Sequence, residues 1–340
     1  MRIVMVGFGC VGQAFLRMVS EGAAPLSDFW IHPRVVAVAD RGGALVDEKG
    51  LNPREILALK SRRGSVAADP TRGRPGLTGL ELLRDVEAEV LVEVTPTNIR
   101  DGEPGLSHIR EALRRGFHVV TTNKGPLALA LPALMELAEY NGVQLRFSGA
   151  VGGGTPILDL GREGLFGNRV ESVRGILNGT TNYILTRMAE AGLSMDEALK
   201  EAQTLGYAEA DPSIDVEGLD SACKLVIIAN WVMRMDCSLG DVKVRGISDV
   251  TLEQVRGAEA EGMRVKLVAS AADGRLEVKP ELVPRGEPLC VDGTLNAVTF
   301  RAEPAGEVTI VGRGAGGPET ASAIIRDLAK IRMEAAKLIA

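Results

Sequence analysis

Apolar residues run without a break over positions 3–6, then recur at Val11, Ala14, Phe15 and Met18. The first pattern predicts a short buried strand and the second one face of a helix. The alternation repeats through the first half of the chain. Residues 35–39, 90–94, 117–120 and 143–147 read as strands, with helical spacing between them, including a helix over 127–140. Such alternation predicts an α/β fold built on a mostly parallel, doubly wound sheet. Positions 41–85 are less regular, apart from Asn52-Pro53-Arg54-Glu55, which has the residue types of a helix start.

The pattern changes past position 148. Gly152, Gly153 and Gly154 precede Thr155-Pro156 and cannot continue a strand. They predict a hinge, or a loop whose backbone approaches a ligand, with Pro156 opening a helix. Beyond it, 169–177 and 242–247 read as strands, and Ser194 with Glu197 as a capping box. Positions 264–271 and 276–283 flank Asp273-Gly274, a hairpin signal, and strands over 297–302 and 307–311 follow. This half predicts an α+β domain with helices on one face of a mainly antiparallel sheet. The expected division is 1–147 and 148–311, with a final helix over 318–340 packing back on the first domain.

One stretch stands apart. Over 206–230 a polar entry carrying Glu209, Asp211, Asp215 and Glu217 turns into a helix with apolar residues at Leu219, Ala222, Cys223, Val226 and Ile227. Asp220 and Lys224, four apart, share a face at the edge of that stripe. Two readings are open: a surface ion pair, or a carboxylate and ammonium held beside a core for a polar small molecule.

Composition narrows the field. The chain has 340 residues, a net charge of −6 and 25% charged residues, ordinary for a soluble two-domain protein and unsuited to nucleic acid as main partner. No apolar run reaches the roughly 18 residues of a membrane span, and the N-terminus lacks a signal peptide. Cys10, Cys223, Cys237 and Cys290 are widely spaced, which argues against disulfides or zinc and for a reduced, cytoplasmic setting.

The chemistry begins at Gly7-Phe8-Gly9-Cys10-Val11-Gly12, a G-x-G-x-x-G between the first strand and first helix. In that context the glycines permit a tight turn, approach of a pyrophosphate, and close helix–strand packing, and the helix start offers free N–H groups. The next strand ends at Asp40 and Arg41. An acid there favours NAD through the ribose, an arginine NADP through its 2′-phosphate, and both are present. Asp40 comes later than the usual spacing of about 20 residues because of an insert over 20–33. Thr95, Asn98, Asn123 and Lys124 sit at later strand exits, where doubly wound sheets bind ligands.

Together G7FGCVG12, T95PTN98, T121TNKGP126, A150VGGGTP156, G175ILNGTTNYI184, L205GYAEADPSIDVEGLDSACKL225 and G314AGGPETA321 resemble homoserine dehydrogenases over nearly the whole chain. The resemblance implies a Rossmann-type domain plus a catalytic and dimerisation domain, a homodimer, and reversible NAD(P)-dependent oxidation of L-homoserine to L-aspartate 4-semialdehyde. It places Lys224 as the proton donor and acceptor, with Asp220 and Lys124 beside the substrate. Gly179, Thr180, Tyr207, Glu209 and Asp215 match positions that bind or orient homoserine. Gly316 and Thr320 match a loop closing on cofactor and substrate. Val151, Gly153 and Thr155 map onto a sodium site made of backbone carbonyls, although Ser148 stands where many members have a glutamate. A regulatory ACT domain and an aspartate kinase are expected to be absent. An aspartate-semialdehyde dehydrogenase would need a nucleophilic cysteine, and neither Cys223 nor Cys290 has that setting. A dinucleotide sensor would not need Lys124, Asp220 and Lys224.

Overall fold

The structure, a computed structural model, describes residues 1–22, 26–29 and 31–337. Residues 23–25 and 30 of the 20–33 insert, and residues 338–340 of the last helix, lie outside the described residues. The chain divides into two compact units, Met1–Gly154 with Gly316–Ala340, and Thr155–Ala315. The stretch 148–154 therefore groups with the first unit.

Seven strands form the sheet of the first unit: β1 (Arg2–Val6), β2 (Arg34–Asp40), β3 (Gly43–Val46), β4 (Gly73–Pro75), β5 (Val90–Glu93), β6 (His118–Thr121) and β7 (Leu145–Arg146). Their order is β4-β3-β2-β1-β5-β6-β7. The strands from β2 to β7 across β1 run parallel, and β3 and β4 extend one edge antiparallel. These two edge strands occupy the region where no pattern was visible. At 4 and 3 residues they are too short to show a period. β7 is also shorter than its apolar run, because the chain turns at Phe147 into a 3-10 turn over Ser148–Ala150.

The helices between strands are α1 (Cys10–Glu21), α2 (Pro53–Arg63), α3 (Gly79–Asp85), α4 (Gly105–Arg114) and α5 (Lys124–Tyr140). Asn52 caps α2 by accepting the Arg54 N–H. α5 starts earlier than its apolar pattern, at the strand exit itself, and is kinked at Ala130 ahead of Pro132.

The second unit has six strands: β8 (Arg169–Ile176), β9 (Val242–Val244), β10 (Met263–Ala272), β11 (Arg275–Pro284), β12 (Leu295–Glu303) and β13 (Gly306–Arg313). The order is β13-β12-β8-β10-β11-β9, antiparallel except where β9 joins β11. Asp273 and Gly274 both take positive φ, 49° and 74°, as the tight turn of the β10–β11 hairpin demands. β9 stops short because Gly246 tucks under the Val216 carbonyl, where a Cβ would lie 2.2 Å from its oxygen.

The helices of this unit are a short α6 (Ile157–Asp159), which runs into a π-turn over Leu160–Gly164, then α7 (Gly179–Ala191), α8 (Met195–Thr204), α9 (Ser213–Val216), α10 (Leu219–Trp231) and α11 (Leu252–Ala260). α7, α10 and α11 pack against β10. α10 is buried continuously from Asp220 to Ala229, not only along the apolar stripe. The last helix, α12 (Gly317–Lys337), belongs to the first unit and lies along α1. Its Ala321, Ile324, Leu328 and Ile331 share one core cluster with Ile3, Met5, Phe15 and Leu16.

Candidate active site

In the first unit the three loop glycines have different reasons to be glycine. Gly7 has φ +101°, and a Cβ there would stand 2.5 Å from the Val94 carbonyl. A Cβ on Gly12 would lie 2.7 Å from the Gly7 oxygen. At Gly9 a Cβ would meet nothing within 4 Å. Gly7 and Gly12 thus serve the turn and its packing, while Gly9 leaves open space before the start of α1. That space and the first N–H groups of α1 fit a dinucleotide pyrophosphate. Phe8 is buried in the core, Val11 packs on it, and Cys10 is exposed, so the three residues between the glycines offer backbone to a ligand.

Asp40 ends β2, but its carboxylate turns inward. One oxygen accepts the Gly42 N–H (2.9 Å) and the Ser65 hydroxyl (2.8 Å); the other accepts Lys60 Nζ (2.7 Å) and the Val66 N–H (3.0 Å). Its side chain is only 4% exposed. Burial pushes this carboxyl up, and the bonds from Lys60, Val66, Ser65 and Gly42 outweigh it and hold it below the ordinary value. A ribose hydroxyl would have to displace one of these donors. Arg41 beside it is exposed.

At the other strand exits, Lys124 is the first residue of α5, whose N-cap Asn123 accepts the Gly125 N–H at 3.1 Å. Asn98 is consumed locally, its amide bonding Asp101, Glu103 and Arg100. Gly316 has φ +129°, and its carbonyl accepts the Thr320 N–H at 3.0 Å in the first turn of α12.

The second unit holds a polar cluster of its own. Lys224 Nζ donates to Asp220 (2.7 Å) and to the Leu177 carbonyl (2.6 Å), with both side chains under a tenth exposed, at 9% and 6%. A solvated surface ion pair is excluded. Asn178, the N-cap of α7, donates from one nitrogen to Asp215 (2.6 Å) and Asp220 (2.8 Å). Gly179, the first residue of α7, packs under the Thr294 carbonyl, where a Cβ would lie 2.9 Å from the oxygen. The Thr180 hydroxyl donates to the Tyr207 carbonyl at 2.7 Å, and the Tyr207 ring leans on Tyr183 with centroids 4.9 Å apart. Gly179, Thr180, Tyr207, Asp215, Asp220 and Lys224 thus form one continuous polar wall. Glu209 is exposed, and its backbone carbonyl holds Gln203.

A family model described as homoserine dehydrogenase matches residues 156–329, and one described as the homoserine dehydrogenase NAD binding domain matches 7–148. The chain belongs to the homoserine dehydrogenase family. A homoserine dehydrogenase of Methanocaldococcus jannaschii is 46% identical, over 97% of this chain and 98% of its own. An NAD(+)-dependent homoserine dehydrogenase of Pseudomonas canavaninivorans is 38% identical, over 99% and 97%. Among solved structures, a hyperthermophilic archaeal homoserine dehydrogenase in complex with NADPH superposes with a TM-score of 0.85 at 30% identity, covering 98% of each chain.

Two residues of this homoserine dehydrogenase escaped sequence reading. Asn178 had no role within the motif over 175–184, and Asn296 lies inside a strand, yet Asn178 bridges Asp215 and Asp220, and Asn296 Nδ2 donates to the same Leu177 carbonyl as Lys224, at 2.9 Å. Only the polar type of Asn296, set among the apolar residues of β12, could have hinted at it.

The carbonyl joint fits a sodium ion poorly. The Thr155 carbonyl already accepts the Ile157 N–H at 2.8 Å. Ser148 brings no charge, and its N–H and hydroxyl both donate to buried Asp327. Arg326 donates to the Gly154 carbonyl at 3.3 Å, so a cation already stands beside the glycine run of the first unit. The like charge disfavours a second cation.

Proposed function

We propose a division of labour for the reaction of this homoserine dehydrogenase, the reversible NAD(P)-dependent hydride transfer between L-homoserine and L-aspartate 4-semialdehyde. The bound nicotinamide supplies or accepts the hydride. The chain's own residues bind, orient and move the proton. The glycine loop and the start of α1 hold the pyrophosphate. Thr95 and Lys124 stand at the strand exits toward which such a cofactor extends. Lys224 as the neutral amine takes the hydroxyl proton while the carbonyl forms, and as the resulting ammonium returns it in the reverse direction, a general acid–base role. Asp220 holds the ammonium of Lys224 in place. Asp215 and Glu209 offer carboxylates to the α-ammonium of homoserine, and the start of α7 at Gly179 and Thr180 offers donors to its α-carboxylate. The resemblance assigns Gly316 and Thr320 to a loop that closes on cofactor and substrate.

The observation that carries this reading is the Asp215–Asn178–Asp220–Lys224 network, in which Asn178, Asp220 and Lys224 are buried and Asp215 is half-buried. Three charged or polar side chains withdrawn from water cost free energy that packing alone does not require. Lys224→Ala tests it. Turnover should fall by on the order of 10²–10⁴-fold, the usual worth of a positioned acid–base group, with NADPH binding near normal. Unchanged turnover would remove Lys224 from the reaction.

In this reading the unit of residues 1–154 with α12 serves the cofactor, and the unit of residues 155–315 is the catalytic and dimerisation domain. The protein works in the cytoplasm as a homodimer, a state supported by exposed Leu282 and Val311 on β11 and β13. Among the described residues no helix is long and apolar enough to cross a membrane. The Arg326 arrangement supports turnover without sodium; equal rates in sodium and choline salts are expected.

A further inference from the structure

We infer that Glu93 is a positioning residue for hydride transfer, fixing Thr95 and Lys124 relative to each other across two strand ends. The inference rests on the proposed roles of Thr95 and Lys124. Glu93 is the last residue of β5 and is fully buried, while its strand neighbours Val90, Leu91 and Val92 are buried and apolar. Nothing about packing that strand calls for a charge.

The hydrogen bonds explain it. One oxygen of Glu93 accepts the Thr95 N–H (3.1 Å) and the Thr95 hydroxyl; the other accepts the Thr121 hydroxyl (2.8 Å). Asn123 closes the ring from the far side. Its N–H donates to Thr121 Oγ1 (3.1 Å), and its Nδ2 donates to Thr95 Oγ1 (3.1 Å). Glu93, Thr95, Asn123 and Thr121 form a closed circuit linking the end of β5 to the end of β6. Asn123 also caps α5, so the circuit sets the first residue of that helix, Lys124.

The circuit has one proton sense. Asn123 donates to both threonine hydroxyls, and each hydroxyl in turn donates to Glu93. Glu93 meets that demand by accepting at both oxygens. The nearby His108 cannot substitute, since its Nδ1 is 4.0 Å from the carboxylate, beyond hydrogen-bond range. A glutamine would place an N–H₂ against one of the hydroxyl protons and force that hydroxyl to reverse. The strand ends would then shift relative to each other while the core stayed filled.

The test is Glu93→Gln in the full-length enzyme, with cofactor deuterated at the transferred hydride. We expect kcat to fall by on the order of 10- to 100-fold, the cost of a small misplacement of reacting groups. The primary isotope effect on kcat should rise, because hydride transfer becomes slower than the other steps. A lowered melting temperature with unchanged kcat and isotope effect would mean a structural role only, and would overturn the inference. Thr121→Val removes one donor on the β6 side and should reproduce both changes. It keeps the question decidable if Glu93→Gln folds badly. Lys124→Ala separates the layers. Intact turnover in that variant sinks the reading of the site, whereas lost turnover with a normal Glu93→Gln enzyme sinks only the role of Glu93.

Discussion

Lys224 and Asn296 share one acceptor: the Leu177 carbonyl takes the ammonium at 2.6 Å and the carboxamide at 2.9 Å. A carbonyl has two lone pairs, and here both are used by groups far apart in the chain. Asn296 is 1% exposed, and its amide is pressed against Gly314, where a Cβ would come within 2.2 Å. It has little freedom to move. Asn296→Leu keeps the volume and removes the second donor. The loss of one buried hydrogen bond should cost about 1 kcal/mol of stability. Because Lys224 is then held by fewer fixed neighbours, kcat should fall several-fold with no change in NADPH affinity. Steady-state kinetics and a cofactor titration check this, and an unchanged kcat would show that Leu177 is held without Asn296.

Asn178 has two jobs that can be separated. Its oxygen caps α7 by accepting the Thr181 N–H at 2.8 Å, and its nitrogen bridges Asp215 and Asp220. Asn178→Ser keeps a good cap and loses the bridge. The melting temperature should move little, while KM for homoserine rises more than KM for cofactor. Equal changes in the two constants would argue that the bridge does not shape the substrate side.

Asp40 makes a paired prediction. With all four acceptor positions of its carboxylate taken by Gly42, Ser65, Lys60 and Val66, it holds the segment after α2 in place. Asp40→Asn should cost about 1.5–3 kcal/mol at neutral pH, the range for a charged hydrogen-bond partner. The sign of the pH effect follows from a folded-state pKa below the ordinary 3.8. This stabilisation is fully present above 3.8 and disappears as pH falls through the lower, folded value. The gap between wild type and variant should therefore close in acid, as read by denaturant melts across pH. Arg41, being exposed, is left to meet the adenosine end. Arg41→Ala should raise KM for NADP and hardly affect NAD; an equal effect on both would exclude 2′-phosphate recognition by Arg41.

What was legible in the chain was whatever leaves a local trace. G-x-G-x-x-G before helical spacing, Asp273-Gly274 between apolar runs, and Ser194 with Glu197 each work within a few residues, and each is found as read. The neighbourhood of Lys224 depends on Leu177 and Asn296, 47 and 119 residues from their partners, and no period or turn signal spans such distances. Asp40 was misleading for a related reason. Its position at a strand end spoke for ribose binding, but its partners Lys60, Ser65 and Val66 arrive only after α2 has formed. Glu93 lay unremarked inside the strand read over 90–94, because the threonines that use it belong to the ends of two different strands, after β5 and in β6.

The core of the first unit contains a segment made after the second unit. Ile324, Leu328 and Ile331 of α12 pack with Ile3 and Phe15, more than three hundred residues earlier in the 340-residue chain. On the ribosome, the first 154 residues emerge with that part of their hydrophobic surface uncovered, and the second unit is synthesised in the meantime. Domains generally fold as they emerge, N-terminal first. Here the order is inverted: the core around Phe15 is completed only once α12, which follows the whole second unit in the chain, has been made.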